Sequence, residues 1–487
     1  MCLVNGHESR FLPPVRTRRT GIGAAGRARL LLLLGLSLTV TAHSDAANDA
    51  DPLAVYLSDA LASNALLKAQ DFAVEAAAQG LGAARAQRAP QLALTARYTV
   101  ADGGRVIRIP TGDLVNPVYQ TLNQLTAGSG NPTQFPQIGN NDINLLRRTE
   151  QDTRLTLSAP IYAPQIAEQI RIRAAEFDGS VATREAFART LVRDVKTAYF
   201  QLAQIQAGIR ILDASQVTLA ENRRVAEALV AAGKATRDRV LRAEAEFLAI
   251  EQRLHAARND ERAARRYLNL LRNRDEAAAV TVADGALFVM PDDRGSQATR
   301  PELRGLDSRI DAADHATKLA GSSLLPTLSL VADSGIQGTG YKIDRDADVS
   351  TASLVLNWTL FDFGARRAAE SQARAQTQQL RETRDEVRRQ LDLARLSADD
   401  NALTAERSLL TAEARIAAAE EGFRIAERKR DAGQLSQIEF LDAERAQTEA
   451  RLGLAIARSD LQSARAEQEY TRAAYPLPAT LVSSATP

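Results

Sequence analysis

A single glycine, set in an otherwise unbroken helical pattern and repeated 200 residues apart, constrains this chain more than any other feature. In Arg430-Asp431-Ala432-Gly433-Gln434-Leu435-Ser436 the helical period stops at Gly433, and it resumes at once through Gln437-Ile438-Glu439-Phe440-Leu441-Asp442-Ala443-Glu444. Glycine ends a helix at little cost because it enters the left-handed conformation without a Cβ clash, and Ser436 is a favourable N-cap for the next helix. The stretch predicts the tight turn of a helical hairpin. The same punctuation occurs in Val230-Ala231-Ala232-Gly233-Lys234-Ala235-Thr236, followed by Val240-Leu241-Arg242-Ala243-Glu244. Gly233 matches Gly433, Thr236 matches Ser436, and Leu241-x-Ala243-Glu244 matches Leu441-x-Ala443-Glu444. The chain reads as an internal duplication with one hairpin in each copy.

Composition supports extended helices rather than large compact cores. Of 487 residues 45% are hydrophobic but only 5% are aromatic, and long Ala-, Leu-, Glu- and Arg-rich stretches pack through small side chains. Cys2 is the only cysteine, which excludes an intrachain disulfide and a thiolate metal site. Residues 1–44 have the form of an export signal: six arginines, an apolar run from Leu30 to Val40, and Ala42-His43-Ser44 as the expected cleavage region. That run is too short to span a bilayer. Its Arg18-Arg19 pair is followed by residues that fit a twin-arginine route poorly, so the general secretory route is expected. Removing six Arg and one Glu takes the formal net charge from +1 to about −4, which gives no reason to expect nucleic-acid binding.

Taken in order, the chain changes period four times. A helical pattern from about Pro52 to Arg88 is stopped by Pro90, after which Leu92, Leu94, Ala96, Tyr98 and Val100 alternate with polar residues as in a strand. Residues 101–150 are rich in Gly, Pro and Asn and predict a long loop, with a short helix near Val115–Leu125. A second strand is expected over about 153–161, then one helix from Gln165 to the Gly233 turn, roughly 100 Å long at 1.5 Å per residue. After a helix to about Arg272 the order repeats: helix from Pro301, strands over about 326–333 and 351–360, long helix over Ala365–Arg430, the Gly433 turn, and a last helix. This predicts a first repeat over 45–274, a connector over 275–299, a second repeat over 300–474 and a polar tail over 475–487.

The four alternating segments could form a small soluble sheet with one wet face, which would make the chain a periplasmic coiled-coil scaffold. Two features point elsewhere. Each strand pair is flanked directly by very long helices, with no further apolar layer to cover it. Aromatic residues also gather at the strand ends, at Tyr98, Tyr162, Trp358, Phe361 and Phe363, as at a membrane interface. Four strands cannot close a barrel, for which about eight is the minimum, so a barrel requires several copies, and three copies would supply twelve strands.

These features together resemble the TolC-like outer-membrane efflux proteins over about residues 50–475. The resemblance is carried by the Pro-x-Leu strand starts at Pro90 and Pro326, by Leu-Phe-x-x-Gly at Leu360–Gly364, and by the two Gly-x-x-[Ser/Thr] tips with their following Leu-x-Ala. It implies a mainly helical homotrimer in which each chain gives four strands to one membrane β-barrel, while long antiparallel coiled-coil helices form a hollow α-barrel across the periplasm. It further implies a passive duct without cofactors, served by an inner-membrane pump and a periplasmic adaptor. The tips would then close the periplasmic entrance and receive the adaptor, through Ala232, Gly233, Lys234 and Thr236 on the first and Ala432, Gly433, Gln434 and Ser436 on the second. The family carries acidic residues shortly after the second-tip glycine, and Glu439 and Asp442 occupy those positions. Threefold repetition would make them rings of negative charge that attract cations; without it they are solvated charges on a hairpin end. The first tip departs from the family, since Arg239 stands where an acidic residue is common, with Lys234, Arg237 and Arg242 nearby.

Other motifs carry less. Gly21-Ile22-Gly23-Ala24-Ala25-Gly26 matches a dinucleotide-binding fingerprint but lies in the expected export segment with no preceding strand. His255 and His315 fall on different predicted helices with no clustered ligands. Arg428-Lys429-Arg430 suits the C-terminal end of a helix dipole. No nucleophile motif stands out, so catalysis is not expected.

Overall fold

The computed structural model describes residues 51–128, 130, 134–283, 300–339, 341 and 346–482. The export signal, the fingerprint at Gly21–Gly26, residues 284–299 of the connector and 483–487 of the tail lie outside them. The elements are α1 (Pro52–Ser63), α2 (Ala65–Ala86), β1 (Gln91–Val100), β2 (Val106–Ile109), α3 (Thr111–Thr126), β3 (Asn141–Asn144), β4 (Thr149–Tyr162), α4 (Pro164–Ala231), α5 (Arg237–Leu271), α6 (Pro301–Ser322), β5 (Thr327–Gly338), β6 (Asp348–Asn357), α7 (Ala365–Asp431), α8 (Gln437–Thr471) and α9 (Ala479–Val482). The fold is mainly helical. Its two long helices, α4 of 68 residues and α7 of 67, run without an internal proline.

The first expected helix is in fact two. Asn64 breaks it, accepting from the Leu67 backbone N–H at 3.0 Å to cap α2 and donating from Nδ2 to the Leu271 carbonyl at 2.9 Å. A local N-cap preference thus joins α1 and α2 to the end of α5. α1 packs into the main core, where Leu53, Tyr56 and Leu57 meet Leu191, Val195 and Tyr199 of α4 and Leu268 of α5. Tyr56 donates its hydroxyl to the Thr281 carbonyl at 3.0 Å, and the Tyr199 hydroxyl accepts from the Ala283 backbone at 3.0 Å. Two rings therefore fasten the start of the connector.

The four long strands form one antiparallel sheet in the order β1-β4-β5-β6. β1 is paired over its whole length, from Gln91 opposite Ser158 to Val100 opposite Thr149. β6 ends three residues earlier than the alternation predicts, at Asn357, because its partner β5 begins at Thr327 and offers no ladder beyond that pair. β5 in turn continues to Gly338, so the second hairpin is longer than expected and its loop shorter. Residues 342–345 of that loop lie outside the described residues.

The sheet has two unlike faces, because successive side chains in a strand point to opposite sides. On one face Leu92 pairs with Leu157 and Leu94 with Leu155, and the apolar surface continues through Leu330 opposite Leu354 and Leu328 opposite Leu356. Leu92, Leu94, Leu354 and Leu356 are all exposed: no layer of the described residues covers them. The other face is a polar network. Asp152 pairs with Arg154 at 2.5 Å and Arg97 at 3.5 Å. Arg154 also donates to Gln337 at 3.2 Å, and Thr156 and Thr351 both donate to Asp333.

The segment between β1 and β4 is not a plain loop. It holds a two-stranded sheet, β2 with β3, and the 16-residue α3, longer than the helix expected over 115–125. α3 tolerates Pro117 and is secured from one side by asparagines. Asn116 and Asn123 each exchange two hydrogen bonds with the backbone of the returning chain, at Ile138 and Phe135, all between 2.7 and 2.9 Å.

Candidate functional site

The two hairpin tips are built alike on their outgoing side. At the end of α4, Lys234 N–H donates to the Leu229 carbonyl at 2.9 Å and Gly233 N–H to Val230 at 3.0 Å; at the end of α7, Gln434 donates to Lys429 at 2.8 Å and Gly433 to Arg430 at 2.9 Å. Both are Schellman turns, which satisfy the carbonyls a helix end leaves open. They require a left-handed residue, and Gly233 and Gly433 have φ of +68° and +72°. The duplication extends to the other end of each hairpin, where Asn273 and Ala473 both take φ near +50° and again lie 200 residues apart.

The incoming sides differ. Ser436 and Glu439 form a capping box: Ser436 Oγ accepts from the Glu439 N–H at 3.3 Å, and the Glu439 carboxylate accepts from the Ser436 N–H at 2.9 Å. Bonding to the Ser436 hydroxyl and backbone holds the Glu439 carboxyl below the usual range. In the first copy the matching position is Arg239, which cannot close such a box. Thr236 instead donates its hydroxyl to Asp238, which lowers the Asp238 pKa. The tips are neighbours, joined where Gln437 Nε2 donates to the Arg239 carbonyl at 2.9 Å.

Of the residues expected at the tips, Ala232, Gly233, Lys234 and Thr236 and Ala432, Gly433, Gln434 and Ser436 are all exposed, as are Glu439 and Asp442. Glu439 is committed to its cap. Asp442, one turn further along α8, is the less constrained carboxylate. The S-x-x-E spacing of a capping box was present in the sequence and identifies this role of Glu439.

Beneath the tips the hairpins share an apolar core of Leu212, Leu219, Ile250, Leu254, Phe423, Phe440 and Leu441. Phe440 meets Phe423 at a tilt of 44°, with ring centroids 5.7 Å apart, and lies under the Arg430 guanidinium at 4.5 Å. Next to this core is a carboxylate whose burial the duplicated Leu-x-Ala-Glu motif does not foretell. Glu444 is 4% exposed and accepts hydroxyl bonds from Ser215 and, at 2.9 Å, Thr448, whereas its counterpart Glu244 is exposed.

A second unforeseen cluster lies where the repeats meet. Glu185 pairs with Arg189 of its own helix at 2.8 Å and with Arg304 of α6. Arg189 donates onward to the Ala473 carbonyl at 2.7 Å, and Arg300 to the Tyr470 and Thr471 carbonyls at 2.8 and 2.6 Å. Two arginines therefore satisfy the carbonyls at the end of α8, as Asn64 and Ser63 do at the end of α5. Lys196 and Glu469 complete the cluster as a fully buried pair. Charged residues inside apolar runs, such as Lys196 in Val195-Lys196-Thr197-Ala198-Tyr199, were the available signal.

The aromatics expected at a membrane interface fall at the two ends of the sheet. Tyr98 stacks on Tyr341 at the end away from the long helices, with centroids 6.4 Å apart. Tyr162, Trp358, Phe361 and Phe363 are at the helix end, all exposed, with Trp358 Nε1 donating to the Leu324 carbonyl at 3.0 Å. Trp358, Phe361 and Phe363 stand beyond the last β6 pair rather than within the strand. Among the described residues no group of three or more His, Cys, Asp or Glu is arranged to hold a metal, and no helix is long and apolar enough to cross a membrane. His315 bridges two helices, its Nδ1 2.7 Å from Glu168 Oε2.

Residues 138–274 and 295–467 match the family model described as outer membrane efflux protein. Solved structures of similar fold include the outer-membrane channel OprN, 17% identical, with 86% of this chain and 89% of that one covered at a TM-score of 0.69. The CmeC outer membrane channel of Campylobacter jejuni is 15% identical, with 86% and 85% covered at 0.73. The MtrE outer membrane channel of Neisseria gonorrhoeae, solved in its open state, is 17% identical, with 86% and 88% covered at 0.71. No curated protein matches the chain significantly.

Proposed function

The chain belongs to the outer membrane efflux protein family, whose members are channels rather than enzymes, and from that premise we propose that three copies form the passive exit duct of a tripartite efflux or type I secretion system. The observation that carries this reading is the sheet. Among the described residues its apolar face has no cover, its polar face is internally bonded, and its outer strands β1 and β6 each leave one edge unpaired. Unpaired edges invite further strands, and closure removes them. Three copies joined edge to edge give twelve strands, with the leucine face toward lipid and the Asp152–Arg154–Asp333 face toward water. Aromatics at both ends of the sheet suit the two interfaces of the outer membrane. Most of the remaining chain, α4 to α8, would then stand in the periplasm.

The tips are the gate and the docking site in this reading. Six tips meet at the periplasmic entrance, where Asp442, with Glu439 behind it, lines a ring of negative charge. The bare turns at Ala232–Gly233 and Ala432–Gly433 admit another helical tip, that of the periplasmic adaptor, which couples the duct to an inner-membrane pump. The first tip, with Lys234, Arg237, Arg239 and Arg242, favours an acidic partner surface.

Outer-membrane fractionation followed by gel electrophoresis with and without boiling tests the assembly. A membrane-embedded band of trimer mass that collapses to monomer on heating is expected. A soluble, heat-insensitive monomer would make the chain a periplasmic scaffold instead.

A further inference from the structure

The insertion between β1 and β4 leaves an apolar stripe that no described residue covers. Leu114, Val118, Leu122 and Leu125 follow one another at 4-4-3 spacing along α3 and are 70%, 56%, 37% and 72% exposed. The opposite side of the helix, through Gly112, Asn116, Tyr119 and Asn123, is held on the returning chain, with Tyr119 against Phe135 at 5.4 Å. The helix is thus fixed with its polar side inward and its apolar side out. β2 and β3 provide no cover, since both are exposed along their whole length.

We propose that this stripe packs against the insertions of the neighbouring copies and narrows the outer mouth of the duct, an inference that rests on the trimeric reading above. Three observations favour a second copy as the occupant. The insertion leaves β1 at Val100, the end of the sheet opposite the long helices, and β1 is an edge strand. The insertion therefore begins at the seam where the next copy would pair, and returns into β4 beside it. Second, α3 has no Lys or Arg, and its single charge, Asp113, is bonded to Asn140 at 3.0 Å. It has no cationic side chain with which to hold an anionic lipid surface, as interfacial helices do. Third, the sizes agree. A twelve-stranded barrel with 4.8 Å strand spacing and the usual tilt is about 24 Å across its backbone. A 16-residue helix is about 24 Å long, so three of them span such an opening.

Single cysteines test this cleanly, since Cys2 is the chain's only cysteine and lies in the expected export segment. Val118→Cys and Leu125→Cys are placed on the stripe, and Gln120→Cys on the flank, each in the full chain in outer membranes. Oxidation is expected to link the stripe variants between copies and to leave the flank variant monomeric on a denaturing gel. The conductance of reconstituted Val118→Cys channels should fall on oxidation and recover with reductant. A heat-modifiable trimer whose stripe cysteines never cross-link would overturn the proposal, as would quenching of a probe at Val118 by spin-labelled lipid. Loss of the trimer band itself would instead remove the assembly on which the proposal stands.

Discussion

Lys196 of α4 and Glu469 of α8, 273 residues apart in sequence, bury their charges against each other at 1% and 2% side-chain exposure. Burial pushes the Lys196 ammonium down and the Glu469 carboxyl up from their usual values, and the mutual attraction opposes both shifts. The pair joins the middle of α4 to the end of α8. Breaking such a pair strands one charge in the interior, so Glu469→Gln is expected to cost about 3–5 kcal/mol, while Lys196→Met with Glu469→Leu costs much less. Thermal unfolding of the purified single and double variants measures the difference.

Asp59 gives the fold an acid-sensitive clasp. Its carboxylate takes hydrogen bonds from Arg274 at 2.6 Å and Arg272 at 2.9 Å, which hold its pKa below the usual range, Arg274 contributing most. A carboxyl with a depressed folded pKa stabilises the fold above its unfolded value, about pH 4, and that contribution is lost as pH falls through the lower folded value. The melting temperature of Asp59→Asn should therefore lie below wild type at pH 7, and the gap should close as pH drops below about 4. A gap unchanged across this range would refute the clasp.

The two tips should respond differently to loss of their capping hydroxyls. Ser436→Ala removes a complete capping box, worth roughly 1 kcal/mol at an N-terminus. Thr236→Ala removes only a hydroxyl bonded to Asp238 and leaves the helix start as it was. Hydrogen exchange is expected to quicken at residues 437–440 in the first variant and to change little at 237–240 in the second.

Gly335 is fixed by contact rather than by turn geometry. A Cβ at this position would lie 2.1 Å from the Thr153 carbonyl oxygen across the β4–β5 ladder. Gly335→Val is expected to abolish the heat-modifiable trimer in outer membranes, whereas Gly80→Ala, in open space on α2, should leave it intact.

The helices and the four long strands were legible because their signals are local. No proline follows the first residue of α4, and none occurs in α7, up to the glycine turns, and alternation marks each strand over several residues. What escaped depended on contacts distant in sequence. The strand end at Asn357 is set by where β5 begins, not by the alternation that continues to Leu360. α3 starts at Thr111 rather than near Val115 because its first turn is held by the returning chain, where Asn140 Oδ1 accepts from the Asp113 N–H and the Gly139 carbonyl from the Thr111 hydroxyl, both at 3.1 Å. At the tips, the glycines and Ser436 were legible. The commitment of Glu439 to the cap is local and follows from the Ser436-x-x-Glu439 spacing, whereas the burial of Glu444 depends on Ser215, 229 residues away.

In the proposed assembly three copies enclose one continuous aqueous path whose periplasmic end is lined by Asp442. Single-channel recording of the purified trimer in planar bilayers tests it most directly, with wild type compared to Asp442→Ala and to Glu439→Ala with Asp442→Ala. Discrete conductance steps are expected, with cation preference in wild type, and weaker preference and weaker block by multivalent cations in both variants. Conductance steps with selectivity and block identical in all three proteins would contradict the acidic gate, and a membrane-inserted trimer with no conductance at all would contradict the duct.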